Sequence, residues 1–318
     1  MHSTPAAQQT NRPFLRRALH RIVQVIGILV AAAVTFIALI LLAMWREHRT
    51  AIALPASTGH FAIGRTTFNW INDQRSDEAN PARKPNDQLI VWVWYPAIHS
   101  NPGARAGYLP ALWRPALARG QGFLMSSFFK RDPSAVQTHS FSDAPISNEQ
   151  STYPVIVLRA GASALTTDFT TLAEDLASHG YIVVGFDAAY RSFVVVLSNG
   201  QAVYRLPEYN VENAEGNLAN PIIGKLLAMW TSDTKFIVNR LQQLNEDATS
   251  NFRGRLDLGR LGMFGHSFGG ATALEFCHED PRCKAAIDLD GIPFGSVVAD
   301  GLTKPCMFVM SDHRRETA

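Results

Sequence analysis

The chain has little cysteine, almost no net charge and only one long apolar run, and each shortage excludes something. Its 318 residues include three cysteines, Cys277, Cys283 and Cys306. None forms a C-x-x-C pair, and no Cys/His cluster has zinc-like spacing, so a metal site has no support. Buried, inert thiols are the preferred reading. Cys277 and Cys283 stand near enough to bridge in an oxidising compartment, with one thiol left over. The net charge is +2, and no arginine- or lysine-rich stripe interleaves with aromatics, so nucleic acid is not expected as a partner. The sequence holds no G-x-G-x-x-G, Walker or H-E-x-x-H pattern, so no cofactor or metal is expected.

The apolar run is Ile22 to Trp45, interrupted by Gln24, Gly27 and Thr35. At about 1.5 Å per residue it is long enough to cross a bilayer as a helix. Arg12, Arg16, Arg17 and Arg21 precede it, and Arg46 and Arg49 follow, with Glu47 between them. The larger positive cluster predicts a cytoplasmic N-terminus and an exported remainder. A cleavable signal peptide is the competing reading. The run is too long for one, and charged residues follow where a small-residue cleavage site is wanted. The expected organisation is therefore a basic tail over 1–21, an anchor over 22–45, a linker over 46–60 and one large domain over 61–318.

Within that domain, Leu89 to Tyr95 reads as a strand, β-branched and aromatic throughout. Residues 98–151, rich in Pro, Gly and Ser, read as an irregular excursion with one or two short helices. Then strands (Tyr153–Leu158, Tyr181–Phe186, Leu261–Phe264, Ala285–Leu289, Cys306–Met310) alternate with helices (Phe169–Ser178, Ile222–Leu244, Ala271–His278). A hairpin is expected around Asn199-Gly200. That alternation predicts an α/β fold with a largely parallel sheet.

Gly265-His266-Ser267-Phe268-Gly269 fits the G-x-S-x-G pattern of a nucleophile elbow. A strand that turns straight into a helix strains the turning residue, and only residues without a Cβ fit beside it. Apolar Leu261–Phe264 and helix-forming Ala271–Phe276 supply the context that the motif requires, so Ser267 is the expected nucleophile. The oxyanion donors are expected from backbone: the N–H of Phe268, and one from the loop after the Val155–Leu158 strand, where Gly161 and Ala162 lie.

Three carboxylates follow the serine. Asp290 sits at the end of a strand, Asp288 two residues deeper on the same face, and Asp312 at the end of the last strand. Pattern alone favours Asp312 slightly. The histidine is harder to place. His313 directly follows Asp312, and neighbours on an extended chain point opposite ways. His266 belongs to the packing of the elbow, and His179 and His278 belong to helices. His313 is thus a weak candidate. A further strand and a His-bearing loop are expected beyond Ala318, so this form of the chain is expected to be poorly active.

Gly265–Thr272, Asp175-Leu-Ala-Ser-His-Gly180, Trp94-Tyr95-Pro96-Ala97 and Lys284-Ala-Ala-Ile-Asp-Leu-Asp-Gly291 stand together and in order. These blocks resemble the plasma-type platelet-activating-factor acetylhydrolases (group VII phospholipases A2) and their bacterial relatives. The resemblance runs from about Phe61 to the end and implies an α/β-hydrolase fold. It implies Ser267 as nucleophile, Asp290 rather than Asp312 as acid, Phe268 and Ala162 as oxyanion donors, and no metal. Arg159-Ala160-Gly161 departs from the family's usual Ser-His-Gly. The family's histidine falls beyond the end of this chain.

The expected function is a membrane-anchored serine esterase acting on short acyl chains of phospholipid-like substrates. Two alternatives remain open at this point. One is a dienelactone-hydrolase-like or polyester-cleaving esterase on soluble esters. The other is a non-catalytic hydrolase-fold protein of the envelope.

Overall fold

Runs of apolar, β-branched residues become strands buried on both faces once helices cover the sheet. A computed structural model of the chain describes residues 12–72, 88–99, 103–211 and 221–312. It opens with a long helix, α1 (Arg12–Arg49). Its segment Arg16–Arg49 is long and apolar enough to cross a membrane, and none of its most apolar stretch is buried against the rest of the chain.

The strands that follow are β1 (Ile52–Ala53), β2 (Ala62–Ile71), β3 (Gln88–Ala97), β4 (Arg105–Gly107), β5 (Val136–Ser142), β6 (Tyr153–Arg159) and β7 (Ile182–Ala188). A small hairpin, β8 (Val194–Val196) and β9 (Ala202–Tyr204), turns at Asn199-Gly200 as expected. The chain closes with β10 (Leu256–His266), β11 (Cys283–Leu289) and β12 (Cys306–Val309). The main sheet runs β1-β5-β2-β3-β7-β6-β10-β11-β12, with β4 on β5. From β7 to β12 the neighbours are parallel, whereas β3 is antiparallel to both β2 and β7. Every residue of β3 and β7 is buried. The helices are α2 (Trp113–Gln121), α3 (Thr170–Ser178), α4 (Pro221–Glu246), α5 (Phe268–Glu279) and α6 (Ser296–Asp300). This is a mixed α/β sheet flanked by helices, with apolar clusters on its two faces.

Two segments differ from the sequence reading. Residues 98–151 contain β4, α2, a π-helical turn at Met125–Phe129, and β5. Strand β5 is not legible in the sequence because its inward positions, Thr138 and Ser140, are polar. Ser140 donates to Glu174 through its N–H (2.8 Å) and its hydroxyl (2.6 Å), and Thr138 donates to the Ala106 carbonyl. Buried polar groups paired in this way leave no apolar alternation to detect.

The stretch read as a linker is also tied down. β1 pairs with β5, and Thr58 donates to Asp175 through N–H (2.7 Å) and hydroxyl (2.9 Å). The end of α1 is fixed as well. Arg131 Nη1 donates to the carbonyls of Glu47 (2.8 Å) and Thr50 (2.5 Å), and Asp132 N donates to His48 O at 3.0 Å.

Cys277 and Cys283 form a disulfide across the turn from α5 to β11, where free thiols were the preferred reading. Their Cα atoms lie 5.0 Å apart, within the range that a bridge spans. Cys306 is free and exposed.

Candidate active site

Strand β10 ends at His266 and α5 begins at Phe268, so Ser267 makes the whole turn by itself. It does so at φ 54° and ψ −126°, a conformation that costs a non-glycine residue free energy and that clusters at functional sites. The flanking glycines follow from the close passage of the chain. A Cβ on Gly265 would stand 2.1 Å from Gly269 O, and one on Gly269 would stand 2.1 Å from Arg159 O. The carbonyl of Ser267 accepts the N–H groups of Gly270 and Ala271, and its own N–H donates to Leu289 O at 2.8 Å. The first turn of α5 therefore points its remaining N–H groups, with the helix dipole, toward the serine side chain.

Register brings the carboxylate alongside. His266 pairs with Leu289 in the parallel β10–β11 ladder, so Ser267 and Asp290 leave adjacent strands at one level. Asp290 also has positive φ, 58°. Its carboxylate accepts from Ser311 twice, from N–H at 2.8 Å and from hydroxyl at 2.7 Å. Asp288 has a different place. It is fully buried beneath the elbow, where Oδ1 accepts the Gly291 N–H at 2.9 Å. Burial, and next the charge of Asp290, raise its pKa. A Cβ on Gly270 would stand 1.8 Å from Asp288 Oδ1, so this carboxyl fills the space beneath the helix start. Asp312 is exposed, three residues beyond the end of β12.

The loop after β6 reaches the serine. A Cβ on Gly161 would lie 3.3 Å from Ser267 Cβ and 3.0 Å from His266 Nδ1. Ala162 follows it, buried, with its carbonyl accepting from Arg205 Nη1 at 3.0 Å. Ala162 and Phe268 share an apolar cluster with Tyr209, Ile223 and Trp230. The structure thus brings Ser267, Asp290, Phe268 and Ala162 together.

It does not bring a described histidine to them as a base. The ring of His266 packs against Phe169, His179 bonds Thr58, and His278 bonds Gly301 O. His48, His60, His99 and His139 have partners in other parts of the domain, and His20 lies on α1. His313 lies outside the described residues.

Two residues that sequence reasoning missed support this site, and so does a third that it noted as a departure from the family's motif without giving it a role. Ser311 holds Asp290, and Arg205 holds the Ala162 loop. Both are long-range contacts that no local pattern signals. The third is Arg159, whose guanidinium is completely buried against the Trp230 ring, 3.8 Å from its centroid. Nη1 donates to Phe186 O at 3.0 Å, while Nε and Nη2 have no hydrogen-bond partner among the described residues. Burial lowers its pKa to about 10, against the opposing charges of Asp187 and Asp233. Trp230 meets Phe268 edge-on at 5.0 Å, so the arginine backs the helix start through the tryptophan.

Asp187, at the end of β7, accepts from Trp92 Nε1 (3.0 Å) and Thr166 N (3.1 Å). Burial nevertheless pushes its pKa from 3.8 up to about 6. The folded protein binds this proton more tightly than the unfolded chain. The group's contribution to stability is therefore full below pH 3.8 and is lost as pH rises through about 6. About two pKa units correspond to about 3 kcal/mol. Asp187→Asn is expected to flatten the fall in thermal stability between about pH 4 and about pH 7, read from melts of detergent-solubilised protein. An unchanged slope would show that Asp187 does not titrate there.

The family model for platelet-activating factor acetylhydrolase, isoform II, matches residues 48–203 and 231–318. The chain belongs to this family. The acetylhydrolase of Cavia porcellus is 27% identical over 259 residues, covering 72% of this chain and 56% of that one. Cutinase est1 of Thermobifida alba is 26% identical over 141 residues, covering 44% of this chain and 36% of the cutinase. The solved ferulic acid esterase of Streptomyces cinnamoneus superposes with TM-score 0.64 at 27% identity, covering 82% of this chain and 68% of that structure. The chain spans about half the length of the curated acetylhydrolase relatives that it matches. In this acetylhydrolase-family chain the family match takes in Gly161, Ala162, Ser267, Asp290 and Ser311.

Proposed function

We propose that the protein is a serine ester hydrolase that works through an acyl-enzyme on Ser267. One observation carries this reading: a strained serine at the start of a helix, level with a carboxylate on the next strand, with a backbone loop against its side chain. A histidine outside the described residues takes the Ser267 proton, and Asp290 orients it. The Oγ attacks the ester carbonyl. The Phe268 and Ala162 N–H groups hold the oxyanion as the tetrahedral adduct forms and collapses to release the alcohol. Water then attacks the acyl-enzyme with the same histidine as base, freeing the acid and the serine.

Helix α1 anchors the enzyme, with its N-terminus cytoplasmic and the catalytic domain exported. The arginine asymmetry around α1 supports that orientation, and the Cys277–Cys283 bridge suits an oxidising compartment. The substrates are phospholipid-like esters with short acyl chains, which accords with the names of the acetylhydrolase relatives. The likeness to a cutinase and to a ferulic acid esterase favours a second reading, hydrolysis of polymeric or aryl esters by the same residues. Initial rates on acetylated phospholipid vesicles against aryl esters separate the two. A fluorophosphonate probe is expected to label a single peptide, the one containing Ser267. In protein whose histidine base is in place, a label on another residue, or none on Ser267, defeats the reading.

A further inference from the structure

A cavity of about 520 Å³ lies away from Ser267, between the end of α1, α2 and the loop after β6. Its volume suits a lipid chain or a drug-sized molecule. His48, Lys130 and Arg131 line it at the joint with α1, and Ser163 and Leu165 line it on the side of the oxyanion loop. Ser163 is two residues past Gly161, which abuts the Ser267 side chain. Between these ends the walls include Leu109, Leu117 and Phe193. Arg114 adds a third cationic side chain near the joint, paired with the buried carboxylate of Asp132 at 2.6 Å, and Arg131 is paired with Glu47. The cavity thus has cationic side chains at the anchor, apolar walls along Leu109, Leu117 and Phe193, and Ser163 and Asp168 beside Leu165 at its far end.

Its surroundings carry exposed apolar side chains. The π-helical turn that packs against α1 follows Phe123 and Leu124, which are 73% and 60% exposed, and contains Phe129, 65% exposed. Basic residues lie beside these aromatics, as at an interfacial surface. Hydrogen bonds from Arg131 and Asp132, and one between His48 and the Lys130 carbonyl, tie the joint to the last turn of α1. A helix fixed in a bilayer therefore fixes this mouth at the bilayer surface.

We propose that the cavity is a lipid port. It takes one phospholipid directly from the leaflet in which α1 ends, with the phosphate at Lys130, beside the paired Arg114 and Arg131, and an acyl chain against Leu109, Leu117 and Phe193. This rests on α1 being an anchor and on Ser267 being the nucleophile that the port serves. Ala118, half-buried on the cavity wall, is the residue to enlarge.

The full chain is reconstituted into phosphatidylcholine vesicles that carry a phosphatidylcholine with a diazirine at one acyl terminus. After photolysis, adducts are mapped by peptide mass spectrometry. Adducts are expected on α2 and around Leu165 as well as on α1. Ala118→Trp is expected to cut the cavity adducts about tenfold, as when two methylenes lose their contact, and the smaller Ala118→Met about threefold. The α1 adducts and the melting temperature should stay unchanged in both. Adducts confined to α1 and Phe123–Phe129, or cavity adducts indifferent to Ala118→Trp, overturn the port. Alkaline carbonate extraction of the same vesicles keeps the two ideas apart. Protein retained without cavity adducts refutes the port alone, and protein released refutes the anchor and the port together. Cross-linking needs no turnover, so the result is independent of the role of Ser267.

Discussion

Ser267→Ala is expected to lower ester hydrolysis by about 10⁶-fold in protein whose histidine base is in place. The residual rate, about 10³-fold above water, comes from substrate binding and the oxyanion donors, which the substitution leaves untouched. Stability separates this chemical loss from damage to the fold. Alanine at φ 54° keeps the strain of the serine, so the melting temperature should not move. Ser267→Gly relieves that strain and should raise stability by about 1 kcal/mol while losing activity equally. The same experiment locates the base. Members of a triad are grossly non-additive: without its histidine, the serine is worth little. His313→Ala that falls as far as Ser267→Ala assigns the base to His313. If the parent chain already hydrolyses ester at the rate of Ser267→Ala, no base is in place in this form. Activity of Ser267→Ala equal to that of a fully active parent would remove the serine from the mechanism.

Much of this site could be read in the sequence because its constraints are local. The elbow announces itself: Gly265, Gly269 and Gly270 are needed within five residues of Ser267, because backbone or carboxylate atoms crowd each position. The strands β3, β6, β7 and β11 are short apolar runs closed by turn residues, and the hairpin around Asn199-Gly200 follows from turn chemistry. The strand β5 was not legible, because its inward Thr138 and Ser140 are satisfied by partners distant in sequence. Nor was the fixed joint at the end of α1, which depends on Arg131, more than 80 residues away from Glu47. The choice among Asp288, Asp290 and Asp312 shows the same limit. All three are strand-end carboxylates by pattern. The resemblance to the family points to Asp290, and the register and the two bonds from Ser311 support that choice.

Those bonds make Asp290→Asn the sharper of the two large effects. A loss of about 10⁴-fold in turnover is expected, since an amide cannot hold the imidazole in the tautomer that accepts the serine proton. A carboxylate offers about four acceptor sites, so it can accept from Ser311 and from an imidazole N–H together. The amide has one acceptor oxygen for Ser311 and the imidazole together. Ser311→Ala should therefore cost less than Asp290→Asn, about 10-fold, by loosening the carboxylate without removing it. Asp312→Asn should change turnover by less than about threefold, as expected of an exposed surface substitution. Asp288→Asn should act on stability. Asp288 is buried beneath the elbow, burial holds its pKa up, and Gly291 N–H is its bonded partner. An amide accepts that same bond, so the melting temperature should fall little or even rise, while turnover keeps the order of magnitude of the parent. If Asp288→Asn or Asp312→Asn loses turnover as Asp290→Asn should, the acid is misassigned. The level pairing of Ser267 with Asp290 would then be architecture without a catalytic consequence.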